Sequence, residues 1–313
     1  MKKYAFGIDV GGTTVKMGFF ETEGNLLSKW EITTRKEDGG SHILDDIVDS
    51  INEHLSMRHL TLEDIEGIGI CVPGPVDKHG IVNKCVNLGW GVIPLREQLE
   101  NRLGVKVRVG NDANIAALGE FWKGGGQGHM DLIMLTLGTG VGGAVIVDGK
   151  VVTGVGGSAA ELGHVKVNYE ETETCGCGGR GCLEHYTSAT GIARMARKME
   201  DEYNGTSYLD GTEMTAKDVF DGMAQGDLLC KDIAERVCKI LGRAIANFAA
   251  VTNPSVFVIG GGVSKAGTVL TDMIEKYYHE YAFHACNDAK VVLATLGNDA
   301  GMYGCVRMLL EDC

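Results

Sequence analysis

The sequence predicts an α/β protein built from two related lobes. Three observations carry that prediction. A strand, glycine-rich turn and strand unit occurs twice, apolar runs alternate between strand and helix spacing along the whole chain, and 313 residues suggest about two domains.

The clearer copy of the unit is Asp131 to Gly149, an apolar run, then Leu137-Gly138-Thr139-Gly140-Val141, then a second apolar run closed by Asp148-Gly149. Two strands folded back through a backbone-rich turn have this pattern. Glycines let N–H groups approach an anion closely and Thr139 adds a hydroxyl, which is how a loop holds phosphate. Gly138, Gly140 and Gly143 also satisfy G-x-G-x-x-G, but a dinucleotide fingerprint needs a helix next and Ala144 to Val147 reads as strand. Gly149-Lys150-Val151 lacks the Ser or Thr of a P-loop. The other copy is Tyr4 to Phe20, turning at Asp9-Val10-Gly11-Gly12-Thr13-Thr14, with Asp9 where the central copy has Thr136. Each lobe would then offer a turn to one phosphate chain.

Composition narrows the function classes. A net charge of −13 and a pI near 5.1 argue against a nucleic-acid surface. Met1-Lys2-Lys3 leads straight into a strand, with no apolar targeting segment. The uncharged apolar run Leu132 to Val147 is 16 residues with four glycines, short of the ~20 apolar residues of a membrane helix. A soluble, cytoplasmic protein is expected. Of ten cysteines, seven are scattered singly, a pattern of reduced, buried thiols.

Between the repeated units, Ile43 to Leu55 has helical spacing and Ile65 to Val72 reads as a buried strand. That strand ends in Pro73-Gly74-Pro75-Val76-Asp77, a stiff turn suited to a strand end or a ligand contact. A helix follows over Pro94 to Leu103, then a strand from Val105 that stops at Asn111-Asp112, then a small-residue helix over Ala113 to Trp122. Asp112 thus sits where a strand's carboxyl end meets a helix N-terminus, the usual ligand crevice of α/β sheets. Asn111 or Asp112 suits an N-cap; Asp112 also suits a catalytic base, kept ionised by the helix N-terminus.

Downstream, His164 precedes Cys175-Gly-Cys177-Gly-Gly-Arg-Gly-Cys182, a set of possible ligands within nineteen residues. Three thiolates and an imidazole make a closed tetrahedral zinc set, with a redox or buried cysteine group as the alternative. Glu161 and Glu184 flank it, and a metal there would hold both still. Helices are expected over Ala189 to Tyr203, Thr215 to Gln225 and Leu228 to Val251. A strand, Ser255 to Ile259, runs into Gly260-Gly261-Gly262, where a flat ring or ribose could approach the backbone, or where the chain simply turns into a helix led by Ser264. A strand over Lys290 to Leu296 and a helix from Asp299 complete the chain. The lobe boundary is expected near Asn111 or Asp112: a smaller α/β lobe of residues 1–111, completed by helix 299–313, and a larger one of 112–298 carrying the zinc segment.

Together these residues resemble the ROK family of bacterial sugar kinases, sugar-responsive repressors and uncharacterised members. The resemblance covers nearly the whole chain and implies the two-lobed actin/hexokinase-like ATPase fold, with duplicated ribonuclease H-like domains and an interlobe cleft. Asp9, Gly11, Gly12 and Thr13 resemble the family's first phosphate motif, with Lys16 beside it, and Gly138, Thr139 and Gly140 its second. Gly260, Gly261 and Gly262 resemble its adenosine motif. His164, Cys175, Cys177 and Cys182 match its zinc signature. Asn111, Asp112, Glu161, His164 and Glu184 fall on its sugar positions, and the resemblance implies that Gly74 and Asn87 bind substrate with them. Ala144 stands where many members have a further glycine. Val72 to Asp77, Asn87 to Trp90 and Ser188 to Gly191 look most like bacterial glucokinases.

The resemblance implies ATP-dependent phosphorylation of glucose at C6 with Asp112 as base. It further implies ATP, Mg²⁺ and a structural Zn²⁺ as cofactors, and a homodimer or higher homo-oligomer whose partners are sugar and nucleotide, with no nucleic acid and no membrane. Kinases for N-acetylmannosamine, N-acetylglucosamine, fructose or allose share the motifs and remain alternatives. A sugar-binding regulator is the weaker one, because such members carry an N-terminal helix-turn-helix and here the phosphate hairpin begins by Tyr4.

Overall fold

Apolar residues in strand and helix register build two sheets, seen in a computed structural model that describes residues 2–311. The strands are β1 (Tyr4–Val10), β2 (Thr14–Glu21), β3 (Leu26–Thr33), β4 (Ile65–Val72), β5 (Lys106–Asn111), β6 (Leu132–Leu137), β7 (Val141–Val147), β8 (Lys150–Val151), β9 (Val256–Gly260) and β10 (Lys290–Leu293). The helices are α1 (Glu37–Gly40), α2 (Ile43–Met57), α3 (Leu95–Leu103), α4 (Asp112–Lys123), α5 (Glu184–Thr187), α6 (Ala189–Asp201), α7 (Ala216–Ala224), α8 (Leu228–Thr252), α9 (Thr268–Tyr281) and α10 (Ala300–Leu310).

The sheets run β3-β2-β1-β4-β5 and β10-β9-β6-β7-β8. Reversing the second list shows that the order is the same in both. In each, the first hairpin is antiparallel (β1 with β2, β6 with β7), and its first strand pairs in parallel with the next strand of the sheet (β4, β9). Parallel pairing continues outward to β5 and β10. The duplication expected from the two turns is therefore a duplication of the whole sheet.

The chain divides into one unit of Met1–Gly128, Val151–Ala159 and Asn298–Cys313 and another of His129–Lys150 and Ala160–Gly297. In the first, alternation splits the strand residues between two faces. Phe6, Ile8, Met17 and Phe19 meet Ile43, Ile47 and Ile51 of α2 and Leu95 and Leu99 of α3. Ala5 and Phe20, on the other face, meet Met302, Val306 and Leu309 of α10. This unit continues through α4 to Gly128, past the boundary expected at 111 and 112. The reason is the packing of α4 on α10, where glycines let the backbones touch: a Cβ on Gly304 would lie 1.7 Å from the Ile115 carbonyl oxygen, and one on Gly119 would lie 2.1 Å from that of Ala300. The terminal helix, Ala300–Leu310, falls in the first unit; positions 312 and 313 of the expected span 299–313 lie outside the described residues.

In the second unit, α8 supplies Ile233, Val237, Leu241 and Ile245 to a core shared with β6, β9, α6 and α9. The Asp148-Gly149 turn closes β7 onto β8 with both residues at positive φ, 50° and 73°. Local readings differ at three places. β3 is half-exposed with alternating burial and too weakly apolar to stand out. The strand after Ala289 ends at Leu293, and the helix expected from Ser264 begins at Thr268, because Gly262–Ala266 forms a 3-10 turn. Among the described residues no helix is long and apolar enough to cross a membrane.

Candidate active site

In the first unit, the register of β1 and β2 pairs Asp9 with Lys16 and Val10 with Val15, leaving Gly11, Gly12 and Thr13 as the turn. Lys16 Nζ lies 3.6 Å from Asp9 Oδ2. The turn is fastened by Thr34, whose hydroxyl donates to the Gly11 carbonyl at 2.8 Å and whose N–H donates to that of Thr13 at 2.9 Å. From the neighbouring strand, the Cys71 thiol donates to Asp9 Oδ1 at 3.5 Å. Its hydrogen bond with Cys305, together with burial, pushes that thiol well above its ordinary range, so it stays an S–H donor. Asn87 is close by: a Cβ on Gly12 would lie 3.7 Å from its carbonyl oxygen.

Asn111 ends β5, and it is the N-cap of α4. Its Oδ1 accepts from the N–H groups of Ala113 and Asn114 at 3.1 and 3.2 Å. Its Nδ2 donates to the Gly74 carbonyl and to Asp112 Oδ1, both at 3.1 Å. Gly74 holds φ +138, where a Cβ would come within 2.8 Å of the Lys84 carbonyl oxygen, so the turn between two prolines needs glycine. Asp112 Oδ1 also accepts from Ala113 N–H at 2.8 Å. Oδ1 is thus fixed by two donors, and no hydrogen bond among the described residues engages Oδ2. Burial pushes the Asp112 carboxyl above the usual carboxylate range; the Ala113 N–H opposes this, and the charge of Asp9 adds to it. The sequence suggested the reverse, a carboxylate favoured by the helix N-terminus. Desolvation and a like charge outweigh that terminus, and the higher proton affinity suits a base better.

In the second unit, Gly138, Thr139 and Gly140 join β6 to β7, with Gly138 N–H donating to Gly140 O at 2.9 Å. The start of α6 grips this turn. Ala189 N–H donates to the Gly138 carbonyl and the Thr190 hydroxyl to that of Thr139, each at 2.8 Å. Ser188 caps α6 by accepting from Gly191 N–H at 3.0 Å. The sequence flagged Ser188 to Gly191 only as a resemblance; the Thr190 hydroxyl's pairing with a distant turn has no local signal. Gly261 (φ +85) lies directly on the end of β6, where a Cβ would meet the Leu137 carbonyl oxygen at 2.5 Å, whereas a Cβ on Gly262 would meet nothing within 4 Å. The glycine run at 260 to 262 and the phosphate-type turn therefore adjoin.

His164, Cys175, Cys177 and Cys182 converge, with one ligand atom from each lying within 4.8 Å of the others. His164 Nδ1 is buried with no hydrogen-bond partner among the described residues, an orphan that a metal would satisfy. Soft sulfurs plus an imidazole at this spacing fit tetrahedral zinc. Glu161 immediately precedes, and His164 ends, the 3-10 turn Leu162–His164, which lies close on β7 at Gly163, where a Cβ would come 2.1 Å from the Val141 carbonyl oxygen. Glu161 is exposed. Glu184, two residues past Cys182, sends Oε2 to the Val141 N–H at 2.9 Å, and its Oε1 lies 3.5 Å from the Cys175 sulfur. Glu184 thus braces the phosphate-type turn from behind, a role the sequence did not reveal. Arg194 of α6 holds Glu171 and Glu173 at 3.0 and 2.6 Å, anchoring the cysteine loop, while Tyr186 donates to Glu171 at 2.5 Å. Tyr186's hydrogen bond, with Glu173 N–H and Arg194 adding to it, lowers the Glu171 carboxyl to about 2.

Duplicated sheets, each presenting a phosphate-type turn at its first hairpin, define a sugar-kinase-like fold. The ROK family model matches residues 5–312, and the chain belongs to that family. Within it, a glucokinase of Halalkalibacterium halodurans is 44% identical over 308 residues, covering 96% of this chain and 93% of that one. Among solved structures, the chain resembles a ROK family glucokinase from Streptomyces griseus in complex with glucose and AMPPNP, at 34% identity and TM-score 0.73, covering 97% of this chain and 98% of that one. A ROK hexokinase from Thermus thermophilus matches at 28% identity and TM-score 0.82, covering 97% of each chain.

Proposed function

We propose that this chain is an ATP-dependent glucokinase that transfers the γ-phosphoryl group to the C6 hydroxyl of glucose. The observation that carries the proposal is Asp112, with Oδ1 held by two donors, Oδ2 unengaged among the described residues and the carboxyl pushed up by burial, in the unit that carries Asp9 and the first turn. Such a group accepts the proton of an attacking hydroxyl, and phosphoryl transfer otherwise needs positioning and charge stabilisation. Support comes from the family, from the relative named glucokinase at 44% identity, and from a neighbour structure that holds glucose and AMPPNP.

In this reading, Gly11, Gly12, Thr13 and Lys16 of the first unit are phosphate-binding residues, and so are Gly138, Thr139 and Gly140 of the second. Gly260, Gly261 and Gly262 back the adenosine. Asp9 supplies the carboxylate oxygen suited to Mg²⁺, which neutralises phosphate charge when bound. Gly74, Asn87 and Asn111 of the first unit, and Glu161, His164 and Glu184 of the second, are sugar-binding residues, their polar groups exchanging hydrogen bonds with hydroxyls. His164, Cys175, Cys177 and Cys182 hold a structural Zn²⁺ that keeps Glu161 and Glu184 in place. The reading includes a cytoplasmic homodimer or higher homo-oligomer with no nucleic-acid partner, open to light scattering and cell fractionation.

A coupled kinase assay over glucose, mannose, fructose, allose, N-acetylglucosamine and N-acetylmannosamine tests the proposal. Glucose should give the highest kcat/KM, with phosphate at C6, and 6-deoxyglucose should bind without reacting. Better use of an N-acetylated hexosamine would keep the kinase and refute the substrate. No transfer to any hexose would refute both.

A further inference from the structure

We propose that Lys166 is a positioning residue of the metal centre, balancing its charge and donating to the Cys182 sulfur. This rests on the zinc reading of the His164, Cys175, Cys177 and Cys182 cluster and adds a partner outside that set. Lys166 and Cys182 face each other across an isolated antiparallel bridge, and Lys166 Nζ donates to Cys182 Sγ at 2.9 Å. The ammonium has room because residue 179 is glycine: a Cβ there would lie 2.6 Å from Nζ and 3.4 Å from the Cys177 sulfur.

Charge explains why a cation belongs there. Zn²⁺ with three thiolates and a neutral imidazole carries one net negative charge, which a single ammonium cancels. Cys182 is fully buried, so its sulfur has to take hydrogen bonds from protein rather than from water. Cys177, the exposed thiol, takes its bond from the Gly179 N–H at 3.4 Å. A charged donor on the buried sulfur draws electron density from it, favouring the metal-bound thiolate and reducing its reactivity toward electrophiles. Because Glu184 follows Cys182 by two residues, Lys166 also steadies the carboxylate that braces the phosphate-type turn.

The test uses the full chain purified without added metal, as wild type, Lys166→Met, Lys166→Gln and Lys166→Arg. Zinc content is measured by elemental analysis, zinc release by a chromophoric chelator, and Cys182 alkylation by N-ethylmaleimide with peptide mapping. Lys166 is exposed, so each variant should fold, with thermal melts as the check. Lys166→Met should release zinc about 10-fold faster and alkylate faster at Cys182. Lys166→Gln should fall between, and Lys166→Arg close to wild type. Zinc in wild type and Lys166→Met alike, with equal release and alkylation rates, would overturn the role of Lys166 and leave the centre standing. No zinc in the wild type would overturn the centre, and the role of Lys166 with it.

Discussion

The two turns share a sheet topology and solve the same problem with different chemistry. The β1–β2 turn carries its own charges, Asp9 and Lys16, on facing strands, with a buried thiol behind the carboxylate. The β6–β7 turn has Thr136 in place of Asp9 and no charged residue from Leu132 to Val147. Its carboxylate comes from Glu184 and its carbonyls are held by the start of α6, both beyond the cysteine loop. A duplicated backbone thus became a charged turn built locally and a neutral turn built at long range. Damage to the cysteine loop should therefore reach the second turn and spare the first.

The strongest way to break this comparison is to neutralise the charged unit. Asp112→Asn should lower kcat by roughly 10² to 10⁴ while calorimetry still detects glucose binding. Near-normal turnover in a folded variant would remove Asp112 as base. In the wild type, a base acts only when ionised, so kcat/KM should fall as pH drops through the pKa of Asp112. Because burial raises that pKa, the fall should come at a higher pH than an ordinary carboxylate gives. The neutral unit should instead break at its backbone. Gly261→Ala forces a Cβ against Leu137 at φ +85 and should cost about 2 to 4 kcal/mol in urea unfolding, against under about 1 kcal/mol for Gly262→Ala. Equal losses would show that the close approach is unimportant.

Glu171 gives a finer measure of how the second turn depends on its loop. Its carboxyl is lowered to about 2, so its contribution is present above the ordinary value of 4.5 and is lost as pH falls toward 2. Glu171 is largely buried, and roughly 2 to 3 kcal/mol is expected. Unfolding of Glu171→Gln at pH 7 and pH 3 should show a flatter dependence than wild type; an identical slope would exclude the linkage. The smallest effects should be matched. Thr34→Val and Thr190→Val each delete one hydroxyl bond to a turn carbonyl and should cost about 1 kcal/mol apiece. A marked inequality would show that one turn leans more on its hydroxyl than the other.

The amino-acid sequence by itself determined the repeated turns, most helices and strands, and the identity of the cysteine and histidine cluster. Each is written in nearby residues: alternation and period set the elements, glycine sets the turns, and ligand type with spacing sets the cluster. It also placed Asp112 at a strand end beside a helix start. Only the tertiary structure decided the protonation tendency of Asp112, because that depends on how much water the surrounding fold removes and on Asp9, brought near by β1 pairing with β4 and β4 with β5. It decided that Asn111 is the cap, since the choice between adjacent residues rests on where each side chain points. Packing of α4 on α10 moved the unit boundary to Gly128, and the close approach of Gly140 to Glu184 turned a predicted sugar ligand into a brace as well. These are contacts between residues far apart in the chain, and their strength is a matter of distance and burial that no local pattern contains.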